Sequence, residues 1–398
     1  MKFIDFFAGI GGFRRGMELA GHECVGFCEF DKFATASYIS MNLLTEEQRK
    51  TLEDIPIKKR QKEILKEEYR NGEWYANDIR RVYAGDIPKA DCWCFGFPCQ
   101  DISVAGKQAG FQGNRSSLFF RVMYLVGQLK EEDRPTYLFI ENVKNLLSVN
   151  GGWDFARLLI EMEQWGYDAE WQVLNSKDFG VPQNRERCFI IGHLRNRSTA
   201  EIFPIERTDR ENNISIDECK ANIKPPCFVD LCYEKTQTTD IARCLKARYY
   251  KGIANHAGQD SGVAIPVLTP DRAEKRQNGR RFKEDGEPML TLTGQDRHGI
   301  AIEVKEATKQ DTSCNQGIFV QVSEELTVYA VWYEKYQCYI AIRKLTPKEC
   351  FMLQGWSDDY FEKAQFVNSD SQLYKQAGNG VTVTVIEAIA RKMNVNLN

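Results

Sequence analysis

The sequence predicts an α/β protein whose central sheet is parallel and covered by helices on both faces. Through residue 192, short apolar runs alternate with amphipathic stretches whose apolar residues recur at three- and four-residue spacing. A glycine-rich turn, FAGIGG at residues 7–12, joins the first apolar run to the first amphipathic stretch. The chain has 398 residues, 42% of them hydrophobic, so it can bury a sizeable core. Functional groups in such sheets gather at the carboxyl ends of the strands.

The first part of the chain is predicted to hold strands and helices in alternation. The strands are Lys2–Phe7, Cys24–Cys28, Asp91–Phe97, Tyr137–Ile140, Glu170–Leu174 and Cys188–Gly192. The helices are Phe13–Ala20, Phe33–Leu43, Ser117–Leu129 and Trp153–Trp165. Residues 44–81 interrupt the alternation with a run rich in both acidic and basic residues, which favours a solvated helical insertion.

A second domain is predicted from about residue 196 to 344, because apolar periodicity weakens there and Pro, Gly and Asn become frequent. We expect a loop-rich, mainly β domain. Two segments inside it resemble each other, GQDSGVAI at 258–265 and GQDRHGIAI at 294–302. Regular structure returns at Thr346, where TPKE provides a helix start with a capping box, and a last helix is predicted from Val383 to Met393.

Several residues at predicted strand ends suit a nucleoside cofactor. Glycines in the FAGIGG turn allow a tight bend and a close approach of the backbone to a ligand. Glu29 ends the second strand, where an acid can accept hydrogen bonds from ribose hydroxyls. Asp86, in Gly85-Asp86-Ile87, is a third candidate. Each acid taken alone is also typical of a helix cap or a turn.

A thiol, a carboxylate and two arginines are the candidates for catalysis. Cys99 follows Pro98 at a strand end and opens a polar loop, which would expose a nucleophilic sulfur at the ligand-binding edge. Glu141 closes a buried strand, where an acid is costly unless it caps, pairs or transfers protons. Arg185 and Arg187 precede the strand CFIIG and bring two guanidinium groups to the same region, although a surface ion-pair cluster would use the same residues.

Other chemistries are not indicated. The sequence has no CxxC, no HExxH, no P-loop and no serine nucleophile elbow, and its four histidines are not at metal-ligand spacing with cysteine. No run approaches the roughly 18 apolar residues of a membrane-spanning helix. The N-terminus lacks the features of a signal peptide, so we expect an intracellular protein with reduced cysteines, and neither a membrane nor a metal as partner.

Together these motifs resemble those of the DNA (cytosine-5) methyltransferases of bacteria and their phages. The shared motifs keep the family's order over nearly the whole chain: FAGIGG, Glu29, GDI, GFPCQ, RSSLFF, ENV, QNRERCFIIG, RKLTPKECFMLQGW and YKQAGNGV. The resemblance implies a Rossmann-like, S-adenosylmethionine-dependent methyltransferase domain, residues 1–195 plus 345–398. It also implies that the smaller, loop-rich, mainly β domain, residues 196–344, recognises the target.

The resemblance further implies a role for each candidate residue. Cys99 matches the nucleophile that attacks C6 of a flipped-out cytosine, and Glu141 matches the acid that engages N3 and the exocyclic amine. Arg187 matches the arginine that holds O2, with Arg185 beside it. C5 then takes the methyl group from S-adenosylmethionine. The residues implied to bind this cofactor are Phe7, Gly9, Ile10, Gly11, Glu29, Phe30, Asp86, Ile87, Pro98, Asn379 and Val381.

Double-stranded DNA is the implied partner. The formal charge of the chain is -3, yet residues 243–297 carry 11 Lys and Arg against 7 Asp and Glu, so this basic segment is predicted to meet phosphates and base edges. A tRNA methyltransferase and a catalytically inactive DNA-binding relative are the alternatives. The long recognition segment argues against the first, and the presence of Cys99, Glu141 and Arg187 argues against the second. We expect a cytoplasmic monomer that serves restriction–modification or phage anti-restriction, with or without a separately acting restriction endonuclease.

Overall fold

The computed structural model describes residues 1–97, 118–206 and 345–394, together with the backbone of eight strands between residues 227 and 342. Pro98, Cys99 and the side chains of the basic segment 243–297 lie outside this description. Among the described helices, none is long and apolar enough to cross a membrane.

The described part of the first half of the chain holds eight strands, seven of which form the central sheet. They are β1 (Lys2–Phe6), β2 (Glu23–Cys28), β3 (Trp74–Ala76), β4 (Cys92–Gly96), β5 (Tyr137–Val143), β6 (Tyr167–Asn175), β7 (Gln183–Asn184) and β8 (Glu186–Leu194). Seven of them pair in the order β3-β2-β1-β4-β5-β8-β6. All six strands predicted from the sequence are present in this sheet, most with bounds within two residues of the prediction.

The sheet is mixed, so the prediction of a parallel sheet is wrong at one strand. Pairs among β1 to β5 are parallel, but β8 runs antiparallel to both of its neighbours, β5 and β6. The connection from β6 to β8, residues 176–185, holds only a short 3-10 turn (Ser176–Phe179) and β7. It contains no helix to carry the chain back across the sheet, which a parallel pair would require.

Helices cover both faces of the sheet. They are α1 (Gly12–Leu19), α2 (Lys32–Asn42), α3 (Glu46–Glu53), α4 (Ile57–Glu63), α5 (Leu118–Gln128), α6 (Trp153–Gln164), α7 (Pro347–Met352), α8 (Asp358–Gln365), α9 (Asp370–Asn379) and α10 (Val383–Asn394). On one face, Phe13 of α1 packs edge-on against Phe139 with ring centroids 5.0 Å apart. On the other face, Leu158 of α6 shares an apolar cluster with Ile140. Successive residues of β5 thus serve opposite faces, as the alternation of a strand requires.

The segment 44–81 differs from the predicted solvated helical insertion. It holds α3 and α4, but its last part forms β3, which pairs with β2 at the edge of the central sheet. Leu52 and Ile64 are fully buried, in one apolar cluster with Phe27 and Tyr38. These few apolar residues are separated by many charged ones, so the sequence pattern of the segment conceals its packing.

The C-terminal segment returns to the start of the chain. Thr346 caps α7 and forms the predicted capping box with Glu349. The predicted last helix is α10, which lies against α1. The contact is close, since a Cβ on Gly16 would lie 2.6 Å from Ile386. Residues that immediately precede α10 are therefore brought next to the glycine turn.

Strands make up the described backbone between residues 227 and 342. They are β9 (Cys227–Leu231), β10 (Thr236–Thr239), β11 (Ala242–Arg243), β12 (Ser261–Ala264), β13 (Ala301–Glu303), β14 (Ile318–Ser323), β15 (Leu326–Tyr333) and β16 (Cys338–Ile342). They form the sheets β10-β9-β12 and β13-β16-β15-β14, while β11 pairs with β7. The two similar sequence segments reach into β12 and β13, which belong to different sheets.

Candidate active site

The glycine turn after β1 has an unusual backbone. Phe7, Gly9 and Gly11 have φ angles of 54°, 58° and 91°, in the left-handed region that favours glycine. The N–H of Gly11 donates to the carbonyl of Ala8 at 2.8 Å and closes the turn. Among the described residues, a Cβ on Gly9 would meet nothing within 4 Å. The turn therefore has open space at Gly9, where a ligand could approach the backbone.

The other side of this turn is closed by the C-terminal segment. A Cβ on Gly12 would lie 2.6 Å from Cγ2 of Val381. Ile10 is buried in one apolar cluster with Leu353 and Ala377, which follow α7 and lie in α9. The sequence-based candidates Ile10 and Val381 thus support the turn from behind.

Glu29 follows β2 and is tied to the glycine turn. Its Oε2 accepts a hydrogen bond from the N–H of Gly9, and its Oε1 accepts one from the N–H of Asp31, each at 2.7 Å. Burial raises the pKa of Glu29, although these two amides oppose the shift. Each oxygen keeps lone-pair capacity for a ligand hydroxyl. The adjoining Phe30 is 73% exposed, so its flat apolar ring is available beside the carboxylate.

The next strand of the sheet ends beside Glu29. The N–H of Glu29 donates at 3.1 Å to the carbonyl of Ala76, the last residue of β3. Asp78 follows two residues later. Burial is the main cause that raises the pKa of the Cys28 thiol, and the carboxylates of Glu29 and Asp78 raise it further. Asp78 therefore lies at the same edge of the sheet as Glu29.

The sequence-based candidates Asp86 and Ile87 lie further along the chain. Asp86 ends a 3-10 turn (Ala84–Asp86) on the path to the amino end of β4, and its side chain is exposed. Ile87 is buried in the apolar cluster beneath α5. Asp78, which follows the strand beside Glu29, was not among the sequence-based candidates. The signal is present, since Asp78-Ile79 is the same Asp-Ile pair, but it falls inside the segment assigned to a solvated insertion.

Arg80 holds the Asp78 carboxylate. Its Nε and Nη2 each donate at 2.8 Å, one to each carboxylate oxygen, and these bonds are the main cause of the lowered pKa of Asp78. The guanidinium carbon of Arg80 also lies 5.6 Å from the centre of the Phe30 ring. We refer to these three side chains as the Phe30–Asp78–Arg80 cluster.

A second group lies at the carboxyl ends of β4 and β5. Glu141 is 8% exposed, and its Oε1 accepts from Nε of Arg187 at 3.0 Å. Burial raises the pKa of Glu141, and this effect exceeds the lowering by the guanidinium groups of Arg187 and Arg185. Gly96 is paired with Glu141, and a Cβ there would lie 3.0 Å from Oε2. Glycine at position 96 therefore leaves room for the carboxyl group.

Asn142 links this group to the segment that contains Cys99. Its Nδ2 donates to the carbonyl of Phe97 at 3.0 Å, and its Oδ1 accepts from the N–H of Val143 at 2.9 Å. Phe97 is the last described residue before Pro98. The chain that leads to Cys99 therefore begins beside Glu141, whereas Cys99 and Pro98 themselves lie outside the described residues.

Arg185 connects the Glu141 group with the C-terminal segment. It is buried, and its Nη2 donates to the carbonyl of Gly380 at 2.7 Å. Gly380 lies between the two candidates Asn379, which is exposed at the end of α9, and Val381. The described part of the chain thus brings together the motifs that contain Glu141, Arg185 and Gly380. The same part contains no group of three or more His, Cys, Asp or Glu that could hold a metal ion.

The fold is that of a Rossmann-like methyltransferase. It has seven strands with one reversed strand next to the edge, a glycine turn after β1, and acids after β2 and β3. The solved structure of the Entamoeba histolytica methyltransferase EhMeth has this fold, with a TM-score of 0.58 at 14% identity over 100% of this chain and 99% of that one. The family model for C-5 cytosine-specific DNA methylases matches residues 1–66 and 54–395. The chain belongs to this family and is a DNA (cytosine-5) methyltransferase.

Two curated relatives are similar over nearly their whole length. The orphan methyltransferase M.SPRI of Bacillus phage SPR is 28% identical, over 99% of this chain and 97% of the relative. The type II methyltransferase M.HhaI of Haemophilus parahaemolyticus is 29% identical, over 100% of this chain and 95% of the relative. The likeness thus extends over both predicted domains.

Proposed function

We propose that the protein transfers a methyl group from S-adenosylmethionine to C5 of a cytosine that is flipped out of a specific double-stranded DNA sequence. The observation that carries the proposal is the buried pair Glu141–Arg187. This pair lies beside the end of β4, from which the chain continues to Cys99. A carboxyl group whose pKa is raised by burial, next to a guanidinium bonded to it, can engage one edge of a pyrimidine ring. Ring atoms are hidden in the DNA stack, so the base must leave it, at a cost of a few kcal/mol.

The chemistry assigns one task to each residue. C5 of cytosine is too weak a nucleophile to take a methyl group unaided, so Cys99 forms a bond from its thiolate sulfur to C6. Glu141 gives a proton to N3 as the double bond moves from C5–C6 to C4–C5, which makes an enamine with C5 as its nucleophilic carbon. C5 would then bond the methyl group as the methyl–sulfur bond breaks, with S-adenosylhomocysteine as the leaving group. Loss of the C5 proton to solvent re-forms the C5–C6 double bond and expels the Cys99 thiolate from C6, and N3 returns its proton to Glu141.

The arginines act on the same edge of the base. Arg187 donates to O2, and the hydrogen bond from its Nε to Oε1 of Glu141 fixes the angle at which the carboxyl meets N3. Arg185, which is bonded to the carbonyl of Gly380, keeps the C-terminal turn against this group. Burial raises the pKa of Glu141, and this shift is in the direction that a proton donor to N3 requires.

S-adenosylmethionine supplies, when bound, a methyl group on a positively charged sulfur. The residues described around the glycine turn fit its nucleoside. Glu29 would accept from the ribose hydroxyls, Phe30 would stack on adenine, and Asp78 with Ile79 would meet the adenine edge in place of Asp86 and Ile87. The residues proposed to complete the site are Phe7, Gly9, Ile10, Gly11, Pro98, Asn379 and Val381.

We further propose that the enzyme acts as a monomer, without a metal, in restriction–modification or phage anti-restriction. The names of its relatives support both settings, since they include orphan methyltransferases of phages and type II methyltransferases of bacteria. A restriction endonuclease, where one exists, would act separately.

Residues 243–300 would read the DNA sequence. Exchange of this segment for that of a relative should change the methylated site, as read by methylome sequencing.

A covalent trap tests the reaction. With DNA that contains 5-fluorocytosine, and with the cofactor present, C5 cannot lose its substituent as a proton, so the S–C6 bond should persist and a protein–DNA adduct should survive a denaturing gel. Cys99→Ser should form no adduct but still bind the cofactor, and Glu141→Gln should form it more slowly. Absence of an adduct with the intact protein, under conditions where it binds DNA, would contradict the proposal. Methylation of tRNA in place of DNA would support the RNA alternative.

A further inference from the structure

Arg80 has no task in the proposed reaction, yet its position is fixed at two points. Its fork contacts both oxygens of Asp78, and its guanidinium lies against the ring of Phe30. Its side chain is 62% exposed, and an arginine so exposed usually samples many rotamers. A planar fork on a carboxylate is the geometry that restricts such a side chain most.

The two partners of Arg80 are the two groups proposed to meet adenine. Phe30 lies in the turn after β2, and Asp78 lies in the turn after β3, so the two residues follow different strands. Arg80 is the side chain that joins them. A cation over an aromatic ring occupies one face of that ring, which leaves the opposite face for a planar base.

We propose that Arg80 is a positioning residue for adenine recognition: it fixes the Asp78 carboxylate and one face of the Phe30 ring, so that both are presented to the base in one arrangement. This inference rests on the proposed function, because it takes Phe30 as the platform for the cofactor. The interaction is with the base, not with the methionine portion. Loss of Arg80 should therefore weaken the binding of adenosine, which lacks the methionine portion, as well as the binding of the whole cofactor.

The neighbouring arginine provides a matched control. Nε of Arg81 lies 4.0 Å from Asp78, beyond hydrogen-bond distance, and its side chain is 83% exposed. Arg80→Ala and Arg81→Ala remove the same charge from adjacent positions of the same turn. A general effect of charge on the cofactor would appear in both variants, whereas positioning of Phe30 and Asp78 would appear only in the first.

The experiment measures binding of S-adenosylhomocysteine and of adenosine to the full chain by titration calorimetry. We expect Arg80→Ala to weaken both ligands by about five-fold, the order of one cation–ring contact, and Arg81→Ala to leave both unchanged. Arg80→Lys, which keeps the cation but not the fork, should fall between. In methylation assays the KM for S-adenosylmethionine should rise by the same factor while kcat stays constant.

A double-variant cycle with Phe30→Ala tests whether Arg80 acts through the ring. In that background, Arg80→Ala should weaken binding by less than in the native chain, since the contact is already lost. Unchanged or tighter binding by Arg80→Ala would overturn the inference while leaving the proposed function intact. If the native protein bound neither ligand, the proposed cofactor site would fail and this inference would fail with it.

Discussion

A buried ion pair fastens the segment 44–81 to the first helix, and its removal gives the sharpest stability test. Nη1 of Arg14 donates to both carboxylate oxygens of Glu73, at 2.7 and 2.8 Å, and the two side chains are 9% and 11% exposed. Arg14 also bonds Glu18 at 2.8 Å and Tyr38 at 3.2 Å. Glu73 directly precedes β3, so this pair joins the strand of the insertion to the helix that begins at the glycine turn.

Glu73→Leu would remove the carboxylate and leave Arg14 buried with fewer acceptors. Loss of one member of a buried pair typically costs 3–5 kcal/mol, and because Glu18 remains as a partner we expect about 3 kcal/mol. The double variant Arg14→Met, Glu73→Leu should recover part of this loss, since both charges of the pair are then removed, although Glu18 and Tyr38 lose their bonds to Arg14.

Urea unfolding followed by circular dichroism measures the change as a free energy of unfolding. Asp168→Ala, which breaks the exposed pair with Arg195, is the control and should change stability far less. A Glu73→Leu variant no less stable than Asp168→Ala, or a double variant less stable than Glu73→Leu, would contradict a stabilising role for the Arg14–Glu73 pair.

Three further outcomes are expected. Gly96→Ala, whose Cβ would press on the Glu141 carboxyl, should slow methylation by about 10- to 100-fold with a smaller effect on cofactor affinity, measured by kcat and calorimetry. Gly16→Ala should cost about 1–3 kcal/mol of stability, because its Cβ would overlap a side chain of α10, whereas Gly85→Ala, in open space among the described residues, should be near neutral. Burial alone would raise the pKa of Glu170, but a histidine and two backbone amides lower it overall; Glu170→Gln should therefore cost about 1–2 kcal/mol at neutral pH. In unfolding measurements, the difference in stability between Glu170→Gln and the native protein should vanish as the pH falls through the lowered pKa of Glu170. A difference that grew in acid would contradict this expectation.

Periodicity in the sequence located most of the elements because they are long or strongly apolar. The bounds of β1, β2 and α10 differ from the predictions by one residue. The three-residue strand β3 escaped, since it lies at the end of a charged run and carries too few residues to show a period. With β3 missed, Asp78, two residues after that strand, was not considered, and Asp86 was the only acid proposed in this region.

The reversal of β8 could not be read from composition, because a buried antiparallel strand carries the same apolar run as a parallel one. Glu141 was expected just beyond its strand, but β5 continues to Val143 and the acid is part of the sheet. The motifs could bring Glu141, Arg185 and Arg187 to one region. They could not reveal that Gly96 makes room for the carboxyl, since that contact depends on the register between two strands.

The packing of α10 on α1 has a consequence for how the chain reaches its native state. His22 bonds the carbonyl of Ala390, 368 positions away, and Gly16 meets Ile386 in the same region. While the ribosome elongates the chain, the helix after the glycine turn has no such partner until residues 383–394 emerge. Contacts so distant in sequence slow folding and leave apolar surface exposed in the meantime. Expression at lower temperature should therefore favour soluble protein, and chaperones should bind chains that end before residue 383.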